Sequence, residues 1–353
     1  MKQIVPVLRF LDLASSNPVV DVRSPSEYNR GHIPRAVNIP LFSDEERNRI
    51  GILYKQTGKQ EAFDEGLRIT GPKMAGFLKK ARELLSGREA LLLYCWRGGQ
   101  RSNSLGWLFD SAGMNTYVLE GGYKAFRRFA RESFSKPANI IVLGGMTGSG
   151  KTLLLHALSQ RGEQVIDLES LARHRGSVFG GWSDKPQPTT EHFENLLFDQ
   201  WWKLDKTKRI WLEDESKPIG RIFIPDELFV PMKQSPLVEI EVPQDIRIRN
   251  LVEEYSLEDI GVLARNVLKL EKRLGGKITR ESIEAIERGH YEKAAGLLLY
   301  YYDKAYRLSM GKNRRRTIHH IILENQDPIK NAERILREIS GIPEFSKASP
   351  SGR

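Results

Sequence analysis

Apolar and polar positions along the chain fall into short buried-strand runs separated by stretches of helical spacing. Val19 to Arg23 is a β-branched run ending in charge, and Ser24-Pro25-Ser26-Glu27 has the Ser/Pro start and early glutamate of a helix N-terminus. Ala36 to Pro40 predicts a second short strand, and helical spacing follows from Met74 to Leu85. Ala90 to Tyr94 and Thr116 to Leu119 predict two further strands. The polar stretch from Phe42 to Glu65 is longer than a usual connection and is expected to be an irregular, solvated insertion. After Arg131 to Ala138, which carries little apolar pattern and one proline, the alternation begins again. Asn139 to Leu143 predicts a buried strand, Leu153 to Leu158 a helix, and Val165 to Glu169 and Ile210 to Ser216 are apolar runs ending in carboxylates. Phe193, Leu196, Leu197, Trp201 and Leu204 recur at helical spacing, which places Trp201 in a core, and Leu297 to Tyr306 reads as a packed helix.

Strands alternating with helices predict two α/β domains, each built on a parallel sheet, with sites beyond the carboxyl ends of the strands. The expected boundaries are a first domain over 1–130, a linker over 131–139, a second domain over 140–340 with a helical, basic C-terminal part, and a Pro/Ser/Gly-rich tail over 341–353.

Chemistry concentrates at two strand ends. Cys95, the only cysteine in 353 residues, leaves its apolar run into Trp96-Arg97-Gly98-Gly99-Gln100-Arg101-Ser102, after which an apolar stretch of helical length opens. Glycine-rich backbone N–H groups, a helix N-terminus and the charges of Arg97 and Arg101 all favour an anion there, so Cys95 is expected as a low-pKa nucleophile. Five residues separate Cys95 from Arg101. That is the phosphate-cradling spacing of cysteine-dependent phosphatases, so the loop alone leaves sulfur, selenium and phosphoryl chemistry open.

The second strand end reads Gly144-Gly145-Met146-Thr147-Gly148-Ser149-Gly150-Lys151-Thr152, and residues 145 to 152 fit G-x-x-x-x-G-K-[ST] between a strand and a helix. Gly145, Gly148, Ser149 and Gly150 would turn backbone N–H groups toward phosphate oxygens, Lys151 would add a point charge, and Thr152 could hold Mg2+. Glu213 or Asp214 is the expected metal-supporting carboxylate, and Arg175, in the basic Gly-rich loop from His174 to Gly180, is a candidate for extra phosphate contacts.

The net charge of +10 makes a polyanion a live partner. Arg314, Arg315 and Arg316 form a compact cluster suited to RNA phosphates, and Arg247, Arg249, Arg265, Lys269, Lys272 and Arg273 lie on helical patterns that could extend it. A single cysteine excludes an internal disulfide, and no apolar run approaches about 18 residues. A cytoplasmic protein without a membrane partner is expected.

Asp21 to Tyr28, Gly31 to Pro40, the Cys95 loop and Leu119-Glu120-Gly121-Gly122-Tyr123 together resemble a rhodanese domain. In that setting Asp21 and Arg23 are expected to be a paired structural device, and His32 to order its turn. The whole chain from about residue 5 to 340 is similar to the tRNA 2-selenouridine synthase family, a likeness that includes Tyr54-Lys55-Gln56, His174 to Gly180 and Glu213 to Ser216. The resemblance implies a rhodanese-like domain followed by a P-loop NTPase-like domain, and an enzyme that replaces sulfur by selenium in wobble 2-thiouridine of tRNA. It further implies selenophosphate and geranyl diphosphate as co-substrates with a geranylated intermediate, no organic cofactor, and a selenophosphate-producing enzyme as partner. The alternative is a sulfurtransferase or cysteine-dependent phosphatase fused to a small-molecule kinase, with no RNA substrate.

Overall fold

The computed structural model describes residues 2–174, 186–255, 259–310 and 317–346. Two compact units divide it. One runs to Ser133 and includes Glu194–Asp199; the other holds Phe134–Phe193 and the described residues from Gln200 onward.

The first unit contains β1 (Gln3–Val5), α1 (Val7–Leu13), β2 (Val19–Asp21), α2 (Pro25–Arg30), β3 (Val37–Asn38), α3 (Asp44–Gln56), α4 (Lys59–Thr70) and α5 (Met74–Leu85). After these come β4 (Leu91–Tyr94), α6 (Gln100–Ser111), β5 (Thr116–Leu119) and α7 (Gly122–Phe134). Its five strands are parallel in the order β1-β5-β4-β2-β3, which places β4 at the centre and aims its carboxyl end at Cys95. Val20, Val22, Leu91, Leu93, Phe109 and Val118 are fully buried in one apolar cluster, the burial that drives this sheet to form.

The stretch from Phe42 to Glu65 is not irregular. It forms α3 and most of α4, because Ser43 and Glu46 make a reciprocal capping box at the start of α3, with Glu46 accepting from the Ser43 N–H at 2.8 Å. Helix α7 also continues through Phe134, which shortens the connection to the next strand to residues 135–139.

The second unit contains β6 (Ile140–Gly145), α8 (Lys151–Gln160), β7 (Gln164–Ile166), α9 (Leu168–Ala172), the two ends of α10 (Thr190–Lys203), whose middle Glu194–Asp199 belongs to the first unit, β8 (Ile210–Glu213), β9 (Pro218–Ile219), β10 (Ile222–Phe223) and α11 (Asp226–Gln234). It continues with β11 (Leu237–Glu241), α12 (Gln244–Tyr255), α13 (Ile260–Leu268), α14 (Glu271–Leu274), α15 (Gly276–Glu287), α16 (Tyr291–Met310), β12 (Ile318–Ile322), α17 (Pro328–Ile339) and α18 (Pro343–Ser346). Its main sheet is parallel in the order β12-β11-β6-β8-β7. Leu143 of β6 pairs with Glu213 of β8, so the loop over residues 145–152 and the Glu213–Glu215 carboxylates emerge at the carboxyl end of the same sheet. Trp201 is 1% exposed, the core position its spacing implies. Helices α12 to α16 bury a separate apolar cluster around Leu263, Val267 and Leu299. Among the described residues no helix is long and apolar enough to cross a membrane.

Candidate active sites

In the first unit, Cys95 to Gly99 is the turn between the carboxyl end of β4 and the N-terminus of α6. The turn is fixed from behind: Tyr123 N–H donates to Cys95 O at 2.8 Å and Lys124 N–H to Trp96 O at 3.0 Å. Gly122 permits this approach. Its φ is +59°, and a Cβ there would sit 2.3 Å from both Cys95 O and Gly98 N. The Cys95 side chain is buried, and the Ser102 hydroxyl donates to its Sγ at 3.2 Å. Around this thiol, Trp96, Arg97, Gly99 and Gln100 are exposed and Gly98 is half-buried.

Arg101 does not add a free charge to the loop. Its Nη1 lies 2.6 Å from Glu27 Oε2, a carboxylate that the first turn of α2 presents at this point, and the pair ties α2 to α6. Burial alone would raise the Glu27 carboxyl, but the Arg101 hydrogen bond and charge outweigh it and hold the group below its ordinary value.

Asp21 and Arg23 form the structural pair their positions implied. Both are buried, with Arg23 Nη2 2.6 Å from Asp21 Oδ2 and 2.7 Å from Gly31 O. The Arg23 guanidinium also lies 3.8 Å from the centre of the Tyr123 ring. His32 orders its turn through a 3.0 Å contact between Nδ1 and Tyr28 O, and it stacks on the Tyr28 ring at 3.8 Å.

In the second unit, β6 passes through Gly145 into the loop, and α8 begins at Lys151. Lys151 Nζ donates to Gly145 O at 2.8 Å, while Ser149 Oγ is buried with no hydrogen-bond partner. Helix α12 holds the outer side of the loop: Arg247 Nη1 donates to Thr147 O at 3.1 Å and Asn250 Nδ2 to Gly148 O at 2.8 Å. Gly148, at φ +79°, is required by this packing, since a Cβ would lie 2.7 Å from Arg247 O.

Arg247 thus has no place on an RNA-facing surface. It is 4% exposed and gives both Nη atoms to the Asp303 carboxylate at 2.7 Å. Arg249 pairs with Asp245 at 2.9 Å within its own helix.

The two expected metal-supporting carboxylates have protein partners, although Glu213 Oε1 is buried with none. Asp214 Oδ1 accepts from Lys233 at 2.7 Å. Glu213 is buried and accepts the Leu168 N–H at 2.8 Å, and burial, reinforced by Asp167 and Glu169, pushes its carboxyl well above the ordinary range. Spacing along the chain does not single out Glu215. Burial and then the Glu169 carboxylate push it up to about 7 against the opposing charge of Lys151. Among the described residues no cluster of three His, Cys, Asp or Glu side chains is arranged to hold a metal. Arg175 and the Arg314, Arg315 and Arg316 cluster lie outside the described residues.

Residues 138–331 match the family model of the tRNA 2-selenouridine synthase AAA domain, and residues 9–129 match that of the rhodanese-like domain. A tRNA 2-selenouridine synthase of Nitrosomonas europaea is 36% identical over 80% of this chain and 75% of that protein. Proteins of the same name from a Sulfurovum species and from Bdellovibrio bacteriovorus are 36% and 35% identical, over 86% and 82% of this chain and 92% and 88% of theirs.

Proposed function

The chain belongs to the tRNA 2-selenouridine synthase family, and from that premise we propose that it replaces sulfur by selenium in wobble 2-thiouridine of tRNA, with selenophosphate as donor and a geranylated intermediate. The observation that supports this reading is the presence in one chain of two strand-turn-helix sites, one around a buried thiol to which Ser102 donates and one around Lys151 and the buried Ser149 hydroxyl that has no hydrogen-bond partner. Both co-substrates are phosphorylated, and tRNA is itself a polyanion.

In the first step the 2-thiouridine sulfur attacks C1 of geranyl diphosphate. A C–S bond forms, the C–O bond to diphosphate breaks, and the base releases its N3 proton. The P-loop receives the leaving diphosphate. Lys151 meets the charge that develops on it, and the buried Ser149 hydroxyl gains an acceptor. In the second step the selenium of selenophosphate attacks C2 of the base and the geranyl thiol departs; water then attacks phosphorus, the P–Se bond breaks, and inorganic phosphate leaves 2-selenouridine behind. Cys95 directs that selenium as a thiolate beside it, without an S–Se bond, and the loop N–H groups face the phosphoryl oxygens of selenophosphate. Thr152, half-buried in the first turn of α8, would be the protein ligand of a Mg2+ ion carried in on the diphosphate, whose charge the ion would help neutralise. A selenophosphate-producing enzyme is the expected donor partner, and no organic cofactor enters the scheme.

The test uses two variants. Cys95→Ser should abolish conversion to 2-selenouridine, followed by nucleoside mass spectrometry, and normal selenation would remove Cys95 from the mechanism. Lys151→Ala should abolish geranylation of thiolated tRNA. An unimpaired geranyl-tRNA yield would assign the P-loop to another ligand.

A further inference from the structure

We propose that Trp96 and Arg97 form the nucleotide-binding surface of the Cys95 site, with the indole stacking on the substrate base and the guanidinium receiving a phosphate of the same strand. The inference rests on the tRNA reading above and specifies which side chains meet the RNA. Cys95 is 3% exposed, so a substrate reaching it first meets the loop's outer side chains. Gly98 and Gly99 contribute none, and Arg101 is held by Glu27. What remains is Trp96, 37% exposed, with Arg97 and Gln100, both exposed. An aromatic plane, a cation and an amide on five consecutive residues supply stacking, phosphate contact and base-edge hydrogen bonding.

The indole is built in from below rather than left loose. The Arg23 guanidinium lies over its ring at 5.9 Å and the Tyr123 ring is tilted against it at 5.8 Å. Arg23 is in turn fixed by Asp21, and Tyr123 by the side-chain amide of Asn195, which donates to its hydroxyl at 2.7 Å. The backbone carbonyl of Trp96 accepts from Lys124. An aromatic ring held at fixed height beside a nucleophile loses little freedom when a base stacks on it, so the contact contributes to affinity with a small ordering term.

The two side chains have different signatures. Stacking releases no counterions, whereas each phosphate contact contributes about one unit to the slope of log affinity against log salt. The experiment measures binding of thiolated tRNA to the full-length protein across a salt series, with nucleoside mass spectrometry of the product. Trp96→Ala should weaken binding on the order of tenfold with the salt slope unchanged, and Trp96→Phe should recover most of the loss. Arg97→Gln should lower the slope by about one. Wild-type affinity in Trp96→Ala, failure of Trp96→Phe to recover, or an unchanged slope in Arg97→Gln would overturn the proposal. Absence of salt-dependent tRNA binding by the wild-type protein would instead overturn the tRNA reading itself.

Discussion

Removing either partner of the Asp21–Arg23 pair should destabilise the first unit severely, and removing both should hurt less than the sum. Arg23 is 1% exposed and Asp21 fully buried. Burial disfavours the Arg23 charge, and the hydrogen bond and charge of Asp21 more than restore it. Asp21→Ala would leave the guanidinium with the Gly31 carbonyl and the Tyr123 ring, and an unpaired buried charge costs about 3–5 kcal/mol. Arg23→Ala would strand the carboxylate at a similar cost and lose the ring contact, worth about 2 kcal/mol when desolvated. The double variant removes both buried charges, so a coupling of about 2–3 kcal/mol is expected between neighbours of this kind. The assay is urea unfolding read by hydrogen exchange of the Leu91–Tyr94 strand, which pairs with β2 through Asp21 and Tyr94. Additive effects, with a coupling below about 0.5 kcal/mol, would refute the reasoning.

Two further outcomes bear on the second unit. Arg247→Met should release Thr147 O and weaken binding of inorganic diphosphate about tenfold by calorimetry, because a mispositioned cradle loses its converging donors; an unchanged Kd in a folded variant would mean that α12 does not shape the loop. Glu215, pushed up to about 7, keeps a proton in the folded protein that the unfolded chain gives up near 4.5, so stability should fall as pH rises through that window. Glu215→Gln should reduce the slope of the urea midpoint between pH 5 and 7, leaving the part due to Glu213 and Glu239, whose carboxyls are shifted the same way; an unaltered slope would contradict the assignment.

What the sequence disclosed and what it concealed follow from the range of the interactions. The Cys95 turn and the loop over residues 145–152 are local devices, in which glycine placement, a strand before and a helix after are visible within a dozen residues. The Ser43–Glu46 capping box was equally local, and its spacing was a signal for α3 that the polarity of the segment obscured. The partners of Arg101, Asp214 and Arg247 were hidden for the opposite reason: Glu27, Lys233 and Asp303 are brought to them by the fold from 74, 19 and 56 positions away. Charge density along a helix does not distinguish a solvated arginine from a buried one. Alternation gave the parallel sheets, but not the order β1-β5-β4-β2-β3 that sets Cys95 on the central strand, since the order depends on which crossovers pack and not on any one segment. The proton held at Glu215 depends on burial plus Glu169, which spacing cannot show.

The central claim is that one chain carries out a sulfur-to-selenium exchange through a prenylated base, using two anion cradles. Nucleoside mass spectrometry of 2-thiouridine tRNA incubated with the full-length protein tests it most directly. With geranyl diphosphate alone, the geranylated nucleoside should accumulate; on addition of selenophosphate it should disappear as 2-selenouridine appears. Formation of 2-selenouridine at full rate without geranyl diphosphate, or no selenium in the tRNA under any combination, would contradict the account.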